Sequence, residues 1–325
     1  MKRIFAGILP LVVIPGMAAF LLAWGFKGHQ QINRLAVYTL PPDLFGFYKH
    51  HIDHISRHAV DADKRRYAVS GEAERHFIDL DQYGEHPFDS IPRAWSDAVA
   101  RFGEDSLRAH GIVPWHVLRV HRQLISAFRD RDVERILRHS ADLGHYVGDA
   151  HVPLHCTRNY NGQLTGQHGI HGLWESRLPE LFSDGYDGLT GRAVYIKNTE
   201  ELIWQVLRES FAAKDSVLAM EAELDRAFSR DQKYSYEERG GRLIRVYSRR
   251  FAKAYHDRLD GMVERRMRLA VYRLGCFWYT AWSDAGMPDL PAGLAFEPGV
   301  QWAAELDSLN RNYHEKRGQA DACGD

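Results

Sequence analysis

The stretch Ala141–Leu178, ADLGHYVGDAHVPLHCTRNYNGQLTGQHGIHGLWESRL, constrains the fold most, because it carries two His/carboxylate pairs at helical spacing. His145 and Asp149 stand four residues apart, as do His171 and Glu175. Residues four apart on a helix share a face one turn apart, so each pair can aim an imidazole and a carboxylate at one cation. A further histidine, His155, follows Asp149 by six residues, and Pro153 ends or redirects the first helix just before it. The pattern is a helix, a tight exit carrying a ligand, an Asn/Gly-rich loop and a second helix. Nitrogen and oxygen donors with no thiolate in register suit zinc in a hydrolytic site. In a chain with 18 histidines, one such pair is easily a solvated helix face. Two pairs and a spaced histidine across Gly- and Pro-marked turns favour a metal site.

The remainder of the chain is compatible with one large core. At 325 residues and 45% hydrophobic content, with a formal net charge of −1, it offers no global field for nucleic acid or an anionic membrane. Attraction to phosphate must therefore be local or borne by a metal. Three cysteines, Cys156, Cys276 and Cys323, form no metal-type spacing and exclude a disulfide-stapled fold. Cys156, directly after His155, reads as a bystander thiol.

Helical periodicity runs from Ile32, through a segment opened by Pro42-Asp43, and then near 93–102, 115–129, 132–148 and 198–229. The 248–283 helix has a predicted break at Asp260-Gly261, and Asp132 is a suitable N-cap. His50, His54 and His58 share one helix face with no carboxylate in register, and read as a solvated face. KYSYEERGGRLIRVY, residues 233–247, has strand-like arms around Gly240-Gly241 and predicts a β-hairpin. The fold class is therefore all-α, a compact multi-helix domain over 24–287 with a small hairpin. Residues 288–325 read as a loosely packed tail. Met1-Lys2-Arg3 and the apolar run to Ala23 read as an export signal, with an uncleaved anchor over residues 4–23 as the alternative.

Cleavage after Ala23 would leave Trp24-Gly25-Phe26-Lys27-Gly28-His29 as the new terminus. With Arg75-His76-Phe77-Ile78-Asp79 and the motifs above, this order resembles the S1/P1 nuclease and zinc-dependent phospholipase C superfamily over residues 24 to about 285. The resemblance implies a multi-helix fold, three zinc ions and phosphodiester hydrolysis by a metal-activated water, outside the cytoplasm. One zinc would take an aspartate, His76, His145 and Asp149. A second would take His155, His171 and Glu175. The third would take the Trp24 amine and carbonyl, His29 and the other oxygen of Asp149. For the aspartate, Asp61 matches the spacing of the nuclease branch and Asp63 an Ala-Asp context; Asp61 is preferred. His168 competes with His171 but lacks a carboxylate four residues on. His151 reads as a support residue.

Asp61 and Asp149 are thus the expected catalytic carboxylates. Asn159, Tyr160 and Trp174 are candidate walls of a substrate pocket. The short Trp24–His29 and the Asp61–His76 spacings resemble the nuclease branch, while Glu175 and the short His155–His171 loop resemble the phospholipase branch. Single-stranded nucleic acid or nucleotides are the preferred substrates and phospholipid head groups the alternative, and no obligate protein partner is implied. A metal-stabilised binding protein without turnover is the third reading. The amine-ligand reading has a direct check: N-terminal sequencing of exported protein is expected to begin at Trp24, and any other start removes that ligand.

Overall fold

A computed structural model describes residues 25–239, 241–291, 293 and 296–322. Trp24, the proposed signal over residues 1–23 and Cys323 lie outside them. Among the described residues helix takes 69% and strand 4%, and no helix is long and apolar enough to cross a membrane.

The elements run α1 (Gly25–Ala36), α2 (Pro42–His50), α3 (Ile52–His58), α4 (Asp61–Arg65), α5 (Pro87–Ser90), α6 (Trp95–Phe102), α7 (Glu104–Ala109), α8 (Val113–Asp130) and α9 (Val133–Ala150). There follow α10 (Ile170–Gly172), α11 (Leu178–Phe182), α12 (Thr199–Asp225), α13 (Arg230–Lys233), the strands β1 (Tyr234–Arg239) and β2 (Arg242–Tyr247), then α14 (Arg249–Arg258), α15 (Met262–Asp284) and α16 (Val300–Ala322). The caps follow the sequence chemistry. Asp132 accepts from the Arg135 N–H at the start of α9, and Asn198 does the same for Glu201 in α12. Asp260 and Gly261, at φ +48° and +70°, break the path between α14 and α15 as expected. The hairpin pairs Tyr234 with Tyr247 and Arg239 with Arg242, antiparallel.

Helices α1, α8, α9 and α15 form the centre of the molecule, and their apolar stripes close on Leu143, Val147, Phe277 and Trp278. Two glycines permit the close approach. A Cβ on Gly144 of α9 would lie 1.8 Å from the Asn33 side chain of α1, and one on Gly275 of α15 would lie 1.8 Å from Thr39. Side-chain bulk at either position would push α1 off its partner.

Two expectations are corrected. The segment opened by Pro42 breaks at His51 (φ −99°, ψ 14°) into α2 and α3, so His50 and His54 do not sit on one straight face. His50 is exposed as expected, but the rings of His54 and His58 pack 4.2 Å apart and both lie against Trp302, so that part of the face is covered. The supposed tail is likewise structured. In α16, Trp302, Leu309 and Tyr313 are buried, and Glu305 pairs with Arg138 of α9 at 2.7 Å. The apolar periodicity here is diluted by charged neighbours, which is why it does not stand out in sequence. Trp302→Ala, which removes the largest buried ring of α16, is expected to cost about 3 kcal/mol. Limited proteolysis should then cut between residues 288 and 300 much faster than in the parent protein; unchanged cleavage would contradict a docked helix.

Candidate metal centre

Helix α9 supplies His145 and Asp149 from its last two turns, both with no solvent exposure. His151 ends the helix, and Pro153 starts a single 3-10 turn, Pro153–Cys156, that turns His155 back toward Asp149. The loop 157–169 then returns to α10, which carries His171. Glu175 sits on one π-helical turn, Leu173–Arg177, an insertion that is frequent at functional sites. From α1 comes His29, and from the loop after α4 comes His76.

These side chains converge into three groups able to hold a metal ion: His29 with His145 and Asp149; Asp63 with His76 and His145; and His155 with His171 and Glu175. Asp149 sits between histidines. Its Oδ2 lies 2.9 Å from His76 Nδ1 and 3.2 Å from His145 Nε2, and its Oδ1 lies 3.4 Å from His29 Nε2. In the third group His171 Nε2 is 2.8 Å from one Glu175 oxygen, and His155 Nε2 is 3.1 Å from the other. Donors about 2.0–2.1 Å from a tetrahedral ion stand roughly 3.4 Å apart, so these separations fit a shared cation.

The orientation of the rings is more telling than the distances. His145 Nδ1 is bonded to the Ala59 carbonyl at 2.8 Å, His155 Nδ1 to the His76 carbonyl at 2.6 Å, and His171 Nδ1 to the Tyr160 carbonyl at 3.2 Å. A carbonyl only accepts, so each Nδ1 carries a proton, and whenever the ring is neutral its Nε2 presents a lone pair toward the centre. His155 Nε2 and His171 Nε2 therefore face each other at 3.2 Å as two acceptors, beside an acidic carboxylate. A proton can bridge one of these contacts; a cation satisfies all of them at once. Asp63 adds to this, since neither of its buried carboxylate oxygens has a hydrogen-bond partner.

Protonation follows burial and neighbours. Burial drives His29 down to about 4 and His171 down to about 3. For His145 burial acts against the charge, but Asp149 and Asp63 outweigh it and lift it to about 9. Burial opposes a charged Asp149 as well, yet His145 and His155 hold its carboxyl well below the usual range. Burial pushes Glu175 up to about 8 against the pull of His155.

The expected ligands His29, His76, His145, Asp149, His155, His171 and Glu175 are all brought together; Trp24 lies outside the described residues. Asp61 is corrected to Asp63. Asp61 sits at the first turn of α4 and is held by His58 Nδ1 at 2.6 Å and Lys64 Nζ at 3.0 Å, whereas Asp63, two residues on, lies 3.8 Å from His145 Nε2. The dipeptide spacing puts the two carboxylates on opposite sides of a single helical turn. Two pocket candidates are also corrected. Asn159 is a loop staple, donating to Thr165 and accepting from the Leu164 N–H, and Trp174 is fully buried in the core. Tyr160 does line a cavity of about 280 Å³ over the centre, together with Arg66, Phe77, Asp79, His155 and His171. His168 is exposed and away from the groups, and His151 bonds the Val147 carbonyl and faces Arg273. Cys156 points at the Leu207 carbonyl, its thiol pushed up to about 12 by burial.

Sequence reasoning missed Glu72, which is fully buried behind His76. It lies 3.8 Å from His76 Nε2, and takes hydrogen bonds from Tyr146 and Arg65 and an ion pair from Arg75. The signal was present: Glu72 precedes His76 by four residues, the same spacing that singles out His145 and Asp149.

No protein-family model matches the chain, and no curated protein matches it.

The protonation pattern predicts how metal couples to stability. Between pH 6.5 and 8, folded Glu175 and His145 retain protons that an unfolded chain has lost. The folded state then binds more protons, so stability falls as pH rises through that window. His29 and His171 act with the opposite sign, but only below their ordinary value of 6.5. Chelator-treated protein is therefore expected to lose thermal stability from pH 6.5 to 8. With saturating Zn²⁺ it should not, because ligation replaces those protons. Parallel curves with and without metal would contradict a cation at this centre.

Proposed function

We propose that the protein is a zinc-dependent phosphodiester hydrolase acting on single-stranded nucleic acid or nucleotides. The observation that carries the reading is the set of histidine Nε2 lone pairs, held inward by backbone carbonyls, that meet Glu175, Asp149 and Asp63 beneath a cavity open to solvent. The donor set is all nitrogen and oxygen, which suits zinc. His29, His76, His145, Asp149, Asp63, His155, His171 and Glu175 would hold it. Zinc bound there would supply a water of lowered pKa and would neutralise charge developing on phosphoryl oxygens.

The chain's own residues complete the site. Arg66, 3.9 Å from Asp63 and on the cavity wall, would offer its guanidinium to the non-bridging phosphate oxygens. Phe77 and Tyr160 offer two aromatic surfaces for a base to stack on. Asp79, also on the wall, is raised to about 7 by burial and by Asp81, so near neutral pH it presents a hydroxyl or an acceptor to a base edge. The pairing of Arg66 and Asp79 with two aromatic rings on one wall is the feature that favours a nucleotide over a lipid head group. Buried Glu72 and Tyr146 hold His76 in its ring orientation from behind. Among the described residues, no serine or cysteine lines the cavity.

Phospholipase C activity remains the second reading, on the single observation that Glu175 and a short ligand loop build the His155 group. One purified preparation decides between them: zinc content by mass spectrometry, with hydrolysis of single-stranded DNA, RNA and phosphatidylcholine. At least two zinc ions per chain and turnover of nucleic acid are expected; fewer than two sinks the mechanism, and turnover of lipid alone reverses the substrate. Asp63→Asn is expected to lower kcat about 100-fold or more, while Asp61→Asn lowers it less than about tenfold. Equal losses would return Asp61 to the centre.

A further inference from the structure

A second concavity of about 340 Å³ lies beside α8, and five arginines line it: Arg75, Arg93, Arg108, Arg119 and Arg122. Among the described residues its wall carries one carboxylate, Glu200. Arg75 and Arg108 are paired with glutamates, but Arg93, Arg119 and Arg122 have no ion-pair partner among the described residues. Arg93 lies over the Trp204 ring at 4.4 Å, and its Nη1 is buried with no hydrogen-bond partner. The local potential registers on a neighbour. Burial, reinforced by Arg75, drives His116 on the same wall down to about 3. Trp95 and Trp115 form an edge-on pair at 5.3 Å in the floor.

The wall between this concavity and the cavity over the metal centre is thin: His76 and Ala109 line one, and their chain neighbours Arg75 and Arg108 line the other. We propose that this groove binds the sugar–phosphate backbone of a single-stranded nucleic acid whose scissile phosphate lies at the metal centre, an inference that rests on the nuclease reading. Arginines without carboxylate partners supply phosphate contacts, and the half-buried Trp95, braced by Trp115, supplies a surface for sequence-tolerant stacking. The groove makes the enzyme prefer long strands to dinucleotides.

The test uses the full chain, treated with chelator so that binding is read without turnover. Fluorescence anisotropy follows a labelled oligothymidylate of about 20 nucleotides between about 50 and 200 mM salt. Arg119→Glu with Arg122→Glu, both exposed, is expected to weaken binding about tenfold or more and to flatten the salt slope by roughly 1.4, two contacts at about 0.7 each. Arg119→Gln with Arg122→Gln should fall between the two proteins. With zinc restored, turnover of a dinucleotide should match the parent while KM for the long strand rises. Equal oligonucleotide affinity in parent and variant overturns the proposal. So does a variant that loses binding to phosphatidylglycerol vesicles but keeps the oligonucleotide. If the parent hydrolyses no nucleic acid but the affinities differ as expected, the groove stands and the nuclease reading falls. Hydrolysis with equal affinities sinks the groove alone.

Discussion

Three backbone carbonyls, those of Ala59, His76 and Tyr160, determine what the centre of this protein can be. By accepting from Nδ1 they fix the neutral tautomer of His145, His155 and His171 and aim each Nε2 into a volume already lined with carboxylates. A buried polar atom without a partner costs on the order of 1–3 kcal/mol, and more when charged. Here several such atoms, on His29, Asp63, His76, Asp149 and Glu175, are gathered in one centre. A chain selected only for stability would replace some of them with apolar groups, which is often neutral or favourable. Retaining them makes sense when a cation supplies the missing partner.

The scaffold exists to hold those carbonyls in register. Helix α9 can bring His145 and Asp149 inward only because α1 comes unusually close, and glycine at position 144 permits that approach. Gly148 does the same beside His29, where a Cβ would stand 3.0 Å from the ring. The ring of His29 then stacks on that of His145 at 4.0 Å, joining α1 to the centre. At the other end, Arg266 of α15 donates to the His151 carbonyl, pinning the helix exit from which Pro153 redirects the chain. Loop 157–169 is anchored in its turn, since Gln167 binds Glu221 of α12, and Glu221 holds Lys233 at the foot of the hairpin. Ligand placement thus draws on elements far apart in sequence, a distribution that rigidifies each ring.

How much of this was legible in the sequence depended on distance along the chain. The pairs His145/Asp149 and His171/Glu175, the turn at Pro153 and the break at Gly261 are local rules, and they hold in the structure. Asp61 was misread because two residues of a single helical turn differ by about 200° in direction, and spacing to His76 cannot choose between them. Trp174 was misread for a similar reason: an aromatic beside a ligand faces the core or the cavity according to the turn, and the π-helical insertion at Leu173–Arg177 turns it inward. Asn159 is polar and near the site, but its amide closes the loop on itself. Helix α16 escaped because its buried residues, Trp302, Leu309 and Tyr313, are sparse among charges and meet surfaces formed by distant segments.

Whether such a centre is structural or catalytic turns on one physical distinction. A structural zinc site closes its coordination with protein ligands, while a catalytic one keeps a face open to substrate. In this protein each of the groups containing His76 or His155 has a side chain on the wall of the cavity, beside Arg66 and two aromatic rings. Leu143, Val147 and Trp278 belong to the apolar core and take no part in the cavity wall. A cation placed for stability alone would be better enclosed within that core, where water could not compete for it. Ligands that open toward an arginine and an aromatic wall would give an ion something to act upon, and this asymmetry is the ground on which the proposed hydrolase is preferred to a purely structural role.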